Sequence, residues 1–233
     1  MASRRTKTKN EERGSRRPTQ ASGADRYALY LNSVQAPDVD VAFFRRVFRA
    51  NYGKQPHLLR EDFCGAAAIC CEWVKGDREA RAFGVDLDPE PLAWGREHTV
   101  GKLPDKQRAR VSLVCGDARK ARTEKVDIVA AQNYSYFLFK TRDALRAYFV
   151  AARKHLKKQG LLMLDLFGGY EAFEDDLEET TQHRGFQYVW DQERFDPITH
   201  EAQFYIHFRF DDGSSIDRAF GYDWRLWTIP EVC

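Results

Sequence analysis

Four short segments of this 233-residue chain carry side chains whose types and spacing suit the holding of a nucleoside-type ligand. The first reads Glu61-Asp62-Phe63-Cys64-Gly65-Ala66-Ala67-Ala68. Gly65 lets a backbone come close to a ligand, the helix start that follows offers free amide donors, and Glu61 supplies a carboxylate for a cationic group. The second, Gly84-Val85-Asp86-Leu87-Asp88-Pro89-Glu90, puts Asp86 21 residues beyond Gly65. An acid there is placed to accept the hydrogens of both ribose hydroxyls, and Leu87 to pack on the base, whereas Asp88 fits the cap of a helix starting near Pro89. The third, Cys115-Gly116-Asp117-Ala118, offers an acid to an exocyclic amino group. The fourth, Ala130-Ala131-Gln132-Asn133-Tyr134-Ser135-Tyr136, puts polar and aromatic residues where a reacting group meets its acceptor. Each segment also has a plainer reading: a strand-to-helix turn, a helix cap, a Gly-Asp turn and a pair of packing aromatics. Their order along the chain is what sets them apart.

These segments need elements to hold them. Short apolar runs at 57–61, 81–85, 110–114, 126–130 and 161–166 predict strands, and the patterns at 66–75, 90–99 and 142–157 predict helices. Strands alternating with helices imply βαβ units, hence a doubly wound α/β fold around a mainly parallel sheet. In such a sheet ligands bind beyond the carboxyl ends of the strands, where all four segments fall. Two helices precede the sheet, one over 25–31 and one following Asp38 or Asp40. After residue 185 the pattern changes to short strands at 187–190, 203–210 and 215–224, with a turn at Asp211-Asp212-Gly213-Ser214. This predicts an antiparallel β flap beside the strand ends. The expected division is a basic arm (1–23), N-terminal helices (24–56), a ligand-binding core (57–185) and the flap with the C-terminus (186–233). Thr228-Ile229-Pro230-Glu231 reads as a helix start.

Composition sets bounds. With 43% apolar and 31% charged residues and a formal net charge of +2, the whole chain does not advertise a polyanionic partner. No apolar run approaches the ~20 residues of a membrane span. The arm holds Arg4, Arg5, Lys7, Lys9, Arg13, Arg16 and Arg17 and almost nothing apolar, so it is expected to be disordered. It is either a solvated leader or a nuclear or nucleic-acid address. The expected compartment is the cytoplasm, or the nucleus if the arm is such an address. Cys64, Cys70, Cys71, Cys115 and Cys233 lack metal-binding spacing and read as free thiols, the first four of them buried. No metal site is expected.

Taken jointly, Glu61…Gly65, Asp86, Asp117 and Asn133, each after its own strand, resemble the layout of class I S-adenosylmethionine-dependent methyltransferases. Residues 61–67 and 84–90 are similar to that family's first two motifs, and Gly116-Asp117-Ala118 to its third. The resemblance spans about 57–167, and the flap with Tyr222-Asp223-Trp224-Arg225 resembles an insertion of small-molecule members. It implies a Rossmann-like methyltransferase core with S-adenosyl-L-methionine as cofactor. It implies cofactor contacts at Glu61, Cys64, Gly65, Ala66, Asp86, Leu87, Asp117, Ala118 and Gln132, with Tyr30, Tyr134, Tyr136, Trp224 and Arg225 as candidate acceptor contacts. Two departures stand out. Phe63 and Ala67 replace two of the three alternating glycines usual in the first motif. The family's closing helix and antiparallel strand pair are missing, so the chain is expected to be shorter than its relatives.

Among rivals, a nicotinamide-dependent dehydrogenase needs G-x-G-x-x-G at the first turn, and 61–68 has one glycine. A non-catalytic cofactor-binding relative keeps the fold without the chemistry. A nucleic-acid or protein acceptor would use the basic arm, but 133–136 lacks the prolines of the Asn-Pro-Pro-aromatic signature. The aromatic flap favours a small-molecule acceptor. For a general base, Tyr30, Tyr134, Tyr136, Asp165 and His183 lie near the strand ends, and none is singled out.

Overall fold

The computed structural model describes residues 18–233. Its centre is a parallel sheet of β1 (Leu58–Asp62), β2 (Arg81–Asp86), β3 (Val111–Cys115), β4 (Val126–Ala131) and β5 (Leu156–Leu164), in the order β3-β2-β1-β4-β5. The chain runs outward from β1 to β3, then crosses back to β4. The reversal beside β1 makes the switch point at which open α/β sheets bind ligands. Helices α1 (Gln20–Gly23), α2 (Arg26–Val34) and α3 (Pro37–Tyr52) precede the sheet. Then come α4 (Ala68–Trp73), α5 (Pro89–His98), α6 (Asp105–Arg108), α7 (Arg142–His155) and α8 (Ile229–Val232).

Two apolar clusters cover the sheet. One holds Phe44, Phe48, Trp73 and Leu92 from α3, α4 and α5 against Leu59, Ala82 and Ile128. The other holds Leu145, Tyr148 and Ala152 of α7 against Val126, Val129 and Ala131, and extends to Phe204, Trp224 and Trp227. All six side chains of β4 are buried, as a strand covered on both faces requires. α7 presents Leu145, Tyr148, Ala151 and Ala152 on one face, and Thr141 caps it by accepting from the Ala144 amide at 3.2 Å. Truncating a fully buried Trp73 or Phe48 to Ala is expected to cost about 3–5 kcal/mol.

The second sheet is an antiparallel meander of β6 (Leu177–His183), β7 (Phe186–Phe195), β8 (Glu201–Phe210) and β9 (Ser215–Arg225). Along β8, buried Ala202, Phe204, Ile206 and Phe208 alternate with partly exposed residues. The predicted turn at 211–214 joins β8 to β9.

Several expectations need correction. β6 precedes the three strands read from the sequence; its Glu, Thr and Gln side chains are exposed on an edge, so no apolar alternation announces it. β5 starts directly after α7, at Leu156 rather than 161: Leu156 pairs with Val126, and the unburied Lys157, Lys158 and Gln159 form an irregular stretch before Leu161 pairs with Ile128. The segment 18–23 is ordered: Thr19 caps α1, and α1 docks on the β8–β9 turn, where the Gln20 amide donates to Asp212 Oδ2 at 2.8 Å and the Ala21 amide to Ser214 Oγ at 3.1 Å. The seven basic residues of the arm lie outside the described residues. α3 begins at Pro37, with Asp38 and Asp40 inside its first turn rather than capping it. Cys115 is exposed, whereas Cys64, Cys70 and Cys71 are buried free thiols. The helix announced at Thr228 forms as one turn with a capping box, Thr228 and Glu231 bonding each other's backbone. No helix among the described residues is long and apolar enough to cross a membrane.

Candidate functional site

The carboxyl ends of β1, β2 and β3 frame a crevice of two adjoining cavities. The larger, about 460 Å³, is walled by Tyr27, Tyr30 and Gln35 from the N-terminal helices, Cys64, Gly65 and Ala66 after β1, Asn133 and Ser135 after β4, and Phe220 and Tyr222 of β9. The smaller, about 260 Å³, is walled by Leu87, Gly116, Asp117, Ala118, Arg119, Leu138 and Phe139. Phe63, Asp86 and Asp88 line both.

The turn after β1 is shaped by its backbone. Phe63, Gly65 and Ala67 all lie in the left-handed region, at φ 60°, 50° and 59°. Two of these are not glycine, and a left-handed L-residue costs roughly 1–2 kcal/mol. The alternating conformation that three glycines would adopt freely is thus kept, held by its surroundings. Cys64 N–H donates to Val85 O (3.0 Å), Ala67 N–H to Cys64 O (2.7 Å), and Thr99 Oγ1 to Ala66 O (2.5 Å). A methyl group at Gly95 would stand 2.7 Å from Ala66 O, so α5 approaches this turn only because Gly95 has no side chain. The Phe63 ring leaves the turn to pack on Tyr148 and Phe139, with centroids 5.5 and 6.0 Å away.

Asp86 is half-buried at the junction of the cavities. Its Oδ2 accepts from Gly65 N–H at 2.7 Å and its Oδ1 from Asp88 N–H at 2.9 Å, tying the turns after β1 and β2 together. Burial, with Asp88 nearby, raises its pKa above the ordinary value. Asp88 caps α5 by accepting from the Glu90 amide. Glu61 is buried beneath the turn and lines neither cavity; it accepts from Cys70 N–H at 3.0 Å, and burial pushes its pKa up to about 8. Asp117 is gripped by Arg119, which donates to both its oxygens at 2.7–3.2 Å and holds its pKa below the usual range. Leu87 and Leu138, 70% and 44% exposed, are apolar side chains left uncovered on the rim of the smaller cavity.

The turn after β4 carries two more left-handed residues, Asn133 (φ 56°) and Tyr134 (φ 57°). Asp165, at the tip of β5, accepts both their amides at 2.6 and 2.9 Å and so fixes the turn. Gln132 faces a third cavity, with Asp40, Met163 and Asp165, and donates to Met163 O at 3.4 Å. Tyr30 lines the larger cavity together with Tyr222, and burial raises its pKa to about 12.

The remaining candidates lie elsewhere. Tyr134 packs among Phe137, Phe167 and Trp224. Tyr136 is fully buried, its hydroxyl on Asp165 O. Trp224 is a core residue two positions beyond Tyr222 on the same face of β9: the strand runs from the cavity wall into the core between them. Arg225 bonds Glu231 at 2.8 Å and lies over the Trp227 ring, securing α8. His183 stacks on Phe186 at the end of β6 and lines none of these cavities. Tyr27, Gln35, Phe220, Leu138 and Arg119 also line the two cavities, and no motif in the sequence announces them. The first three come from chain ends that meet only in space; the one available signal was Arg119 as a cation two residues after an acid.

Comparison with known proteins bears on this geometry. Residues 62–164 match the methyltransferase domain family. The fold is similar to that of an amino pentose methyltransferase from Micromonospora echinaspora involved in calicheamicin biosynthesis, solved with S-adenosylmethionine bound (19% identity, TM-score 0.67, covering 88% of this chain and 83% of that one). It is also similar to DesVI of Streptomyces venezuelae (18%, 0.68, 88% and 84%). A third likeness is to a sugar N-methyltransferase from a Streptoalloteichus species (18%, 0.66, 100% and 87%). Among curated proteins none matches. Residues 62–164 thus carry a methyltransferase domain, on a Rossmann-like methyltransferase fold.

Proposed function

We propose that this chain is an S-adenosylmethionine-dependent enzyme that methylates an amine on a small molecule. The observation that carries the reading is the position of Asp86, whose carboxylate stands where a nucleoside-sized apolar cavity opens into a larger aromatic one. In this assignment Leu87 and Leu138 cover the base, Asp117 and the backbone of Ala118 meet its edge, and Asp86 receives the ribose hydroxyls. Cys64, Gly65 and Ala66 run beneath the methionine portion, with Glu61 below to balance its ammonium. When bound, the cofactor supplies a methyl group already activated by its sulfonium. The protein's part is alignment, worth as much as about 7–11 kcal/mol in favourable intramolecular cases.

The larger cavity takes the acceptor. Its described lining has no histidine, and its carboxylates are Asp86, which accepts from two backbone amides, and Asp88, which caps α5. The Tyr30 and Tyr222 hydroxyls are held protonated by burial, so they donate to an acceptor and do not deprotonate it. A hydroxyl nucleophile needs a base; an amine brings its own lone pair. Several proteins of similar fold are described as amino pentose, sugar N- or glycopeptide N-methyltransferases, which agrees. The test is formation of S-adenosylhomocysteine from S-adenosylmethionine with a panel of amino sugars and their hydroxyl counterparts. Turnover is expected with amines alone, rising with pH as the amine loses its proton. Turnover confined to the hydroxyl compounds refutes the amine assignment.

A further inference from the structure

We propose that Arg60 is the positioning residue for the nucleobase half of the crevice, setting the loop after β3 by gripping its carbonyl groups. The inference rests on the cofactor reading above.

Arg60 sits in the middle of β1, between Phe83 of β2 and Val129 of β4, and its side chain is wholly buried. A guanidinium in the core of a parallel sheet is costly unless each donor is matched, and an apolar side chain there would serve stability as well or better. The donors of Arg60 are matched in one direction. Nη2 donates to Ala118 O at 2.7 Å, and Nη1 to Ala121 O at 3.0 Å and Thr123 Oγ1 at 3.2 Å. Three of its four acceptors therefore belong to residues 118–123, the stretch that follows Asp117 and carries the wall of the smaller cavity.

The other side-chain ties of that stretch are local or long: Arg119 grips Asp117 and lies over the Phe139 ring, and Thr123 Oγ1 meets His155 Nδ1 at 3.4 Å. Between β3 and β4 the chain forms only a short turn, in which Lys120 and Ala121 donate to Asp117 O. The planar fork of Arg60 fixes two carbonyls and a hydroxyl at once, which a lysine ammonium cannot do with the same geometry. The fourth donor, Nε, goes to Asp62 Oδ1 at 2.7 Å, and Asp62 Oδ2 accepts from Tyr148 at 3.1 Å. Tyr148 packs on Phe63, the wall shared by both cavities. One buried cation thus sets two sides of the nucleoside pocket without lining it.

The test is calorimetric titration of the whole chain with S-adenosylhomocysteine and with adenosine. It compares wild type, Arg60→Lys, Asp117→Asn and the double variant, with melting temperature measured for each. Arg60→Lys is expected to weaken both ligands by about tenfold while melting in one transition. Asp117→Asn is expected to cost less affinity in the Arg60→Lys background than in wild type, because the loop that aims Asp117 has already slackened. A purely structural arginine leaves that second loss unchanged, and equal losses in the two backgrounds overturn the proposal. So does a folded Arg60→Lys that binds within twofold of wild type. If Arg60→Lys does not fold, Thr123→Val removes one Arg60 contact at the loop, together with the hydroxyl's bonds to Glu124 O and His155 Nδ1, and His155→Ala serves as the control that leaves the Arg60 contact in place. A weakening of both ligands by about twofold or more in Thr123→Val but not in His155→Ala supports the proposal, and unchanged binding in Thr123→Val, or an equal loss in the two, overturns it. A wild-type chain that binds no S-adenosylhomocysteine overturns the proposal together with the cofactor reading beneath it.

Discussion

Glu61→Gln should make the protein more stable while weakening its hold on the cofactor. In the folded chain Glu61 is shut away from water with one backbone amide for a partner, and its pKa of about 8 stands far above the 4.5 of an ordinary glutamate. Between these two pH values the native state holds a proton that the unfolded chain has released. Stability therefore falls as pH rises through that window. The gap amounts to about 3 kcal/mol at neutral pH and approaches 5 kcal/mol above pH 8. Glutamine keeps an oxygen for the Cys70 amide and carries no ionisable proton, so its stability should lack this slope. The assay is urea unfolding of both proteins at pH 5, 7 and 8.5. The glutamine variant is expected to gain on wild type steadily across the series, with the smallest difference at pH 5. A difference independent of pH, or a variant less stable than wild type at pH 8.5, refutes the reasoning. An arriving ammonium reverses the balance by favouring the carboxylate, so cofactor affinity in wild type should rise with pH over the same window and stay level in Glu61→Gln.

Two further expectations follow from the crevice. Asp86→Ala should weaken S-adenosylhomocysteine by more than tenfold in calorimetry, because a charged acceptor is lost both to the ribose and to Gly65 N–H; unchanged affinity contradicts the ribose assignment. Ala67→Gly trades relief of a left-handed alanine against a lost buried methyl and a looser unfolded chain, so its stability should stay within about 1 kcal/mol of wild type by chemical denaturation. A loss above 2 kcal/mol would show that Ala67 is not strained.

The parallel sheet was legible because its strands are short apolar runs separated by amphipathic helices, and the flap because Phe204, Ile206 and Phe208 alternate. β6 was not, since a solvent-facing edge strand leaves no periodic trace. Spacing put Asp86 and Asp117 on one cavity, where they stand. It could not tell that Glu61 lies under the floor, because burial depth at a strand end depends on the turn above it. Nor could it separate Tyr222 from Trp224, which share a face of β9 and differ only in what that face meets. The left-handed backbone at Phe63 and Ala67 was the least legible feature, since neither residue type favours it.

The α1 contact with the β8–β9 turn reaches beyond local order. It joins residues 192 positions apart in sequence and, with Arg26 bonding Glu90 and Trp94 bonding Asp25, fastens the leading helices to both the flap and the core. The larger cavity consequently takes one wall from each extremity of the described chain and sets it against the turns after β1, β2 and β4, whereas the smaller cavity is cut from the interior alone. Exchange of those extremities between homologues should therefore redirect acceptor preference while the donor-binding interior carries over unaltered.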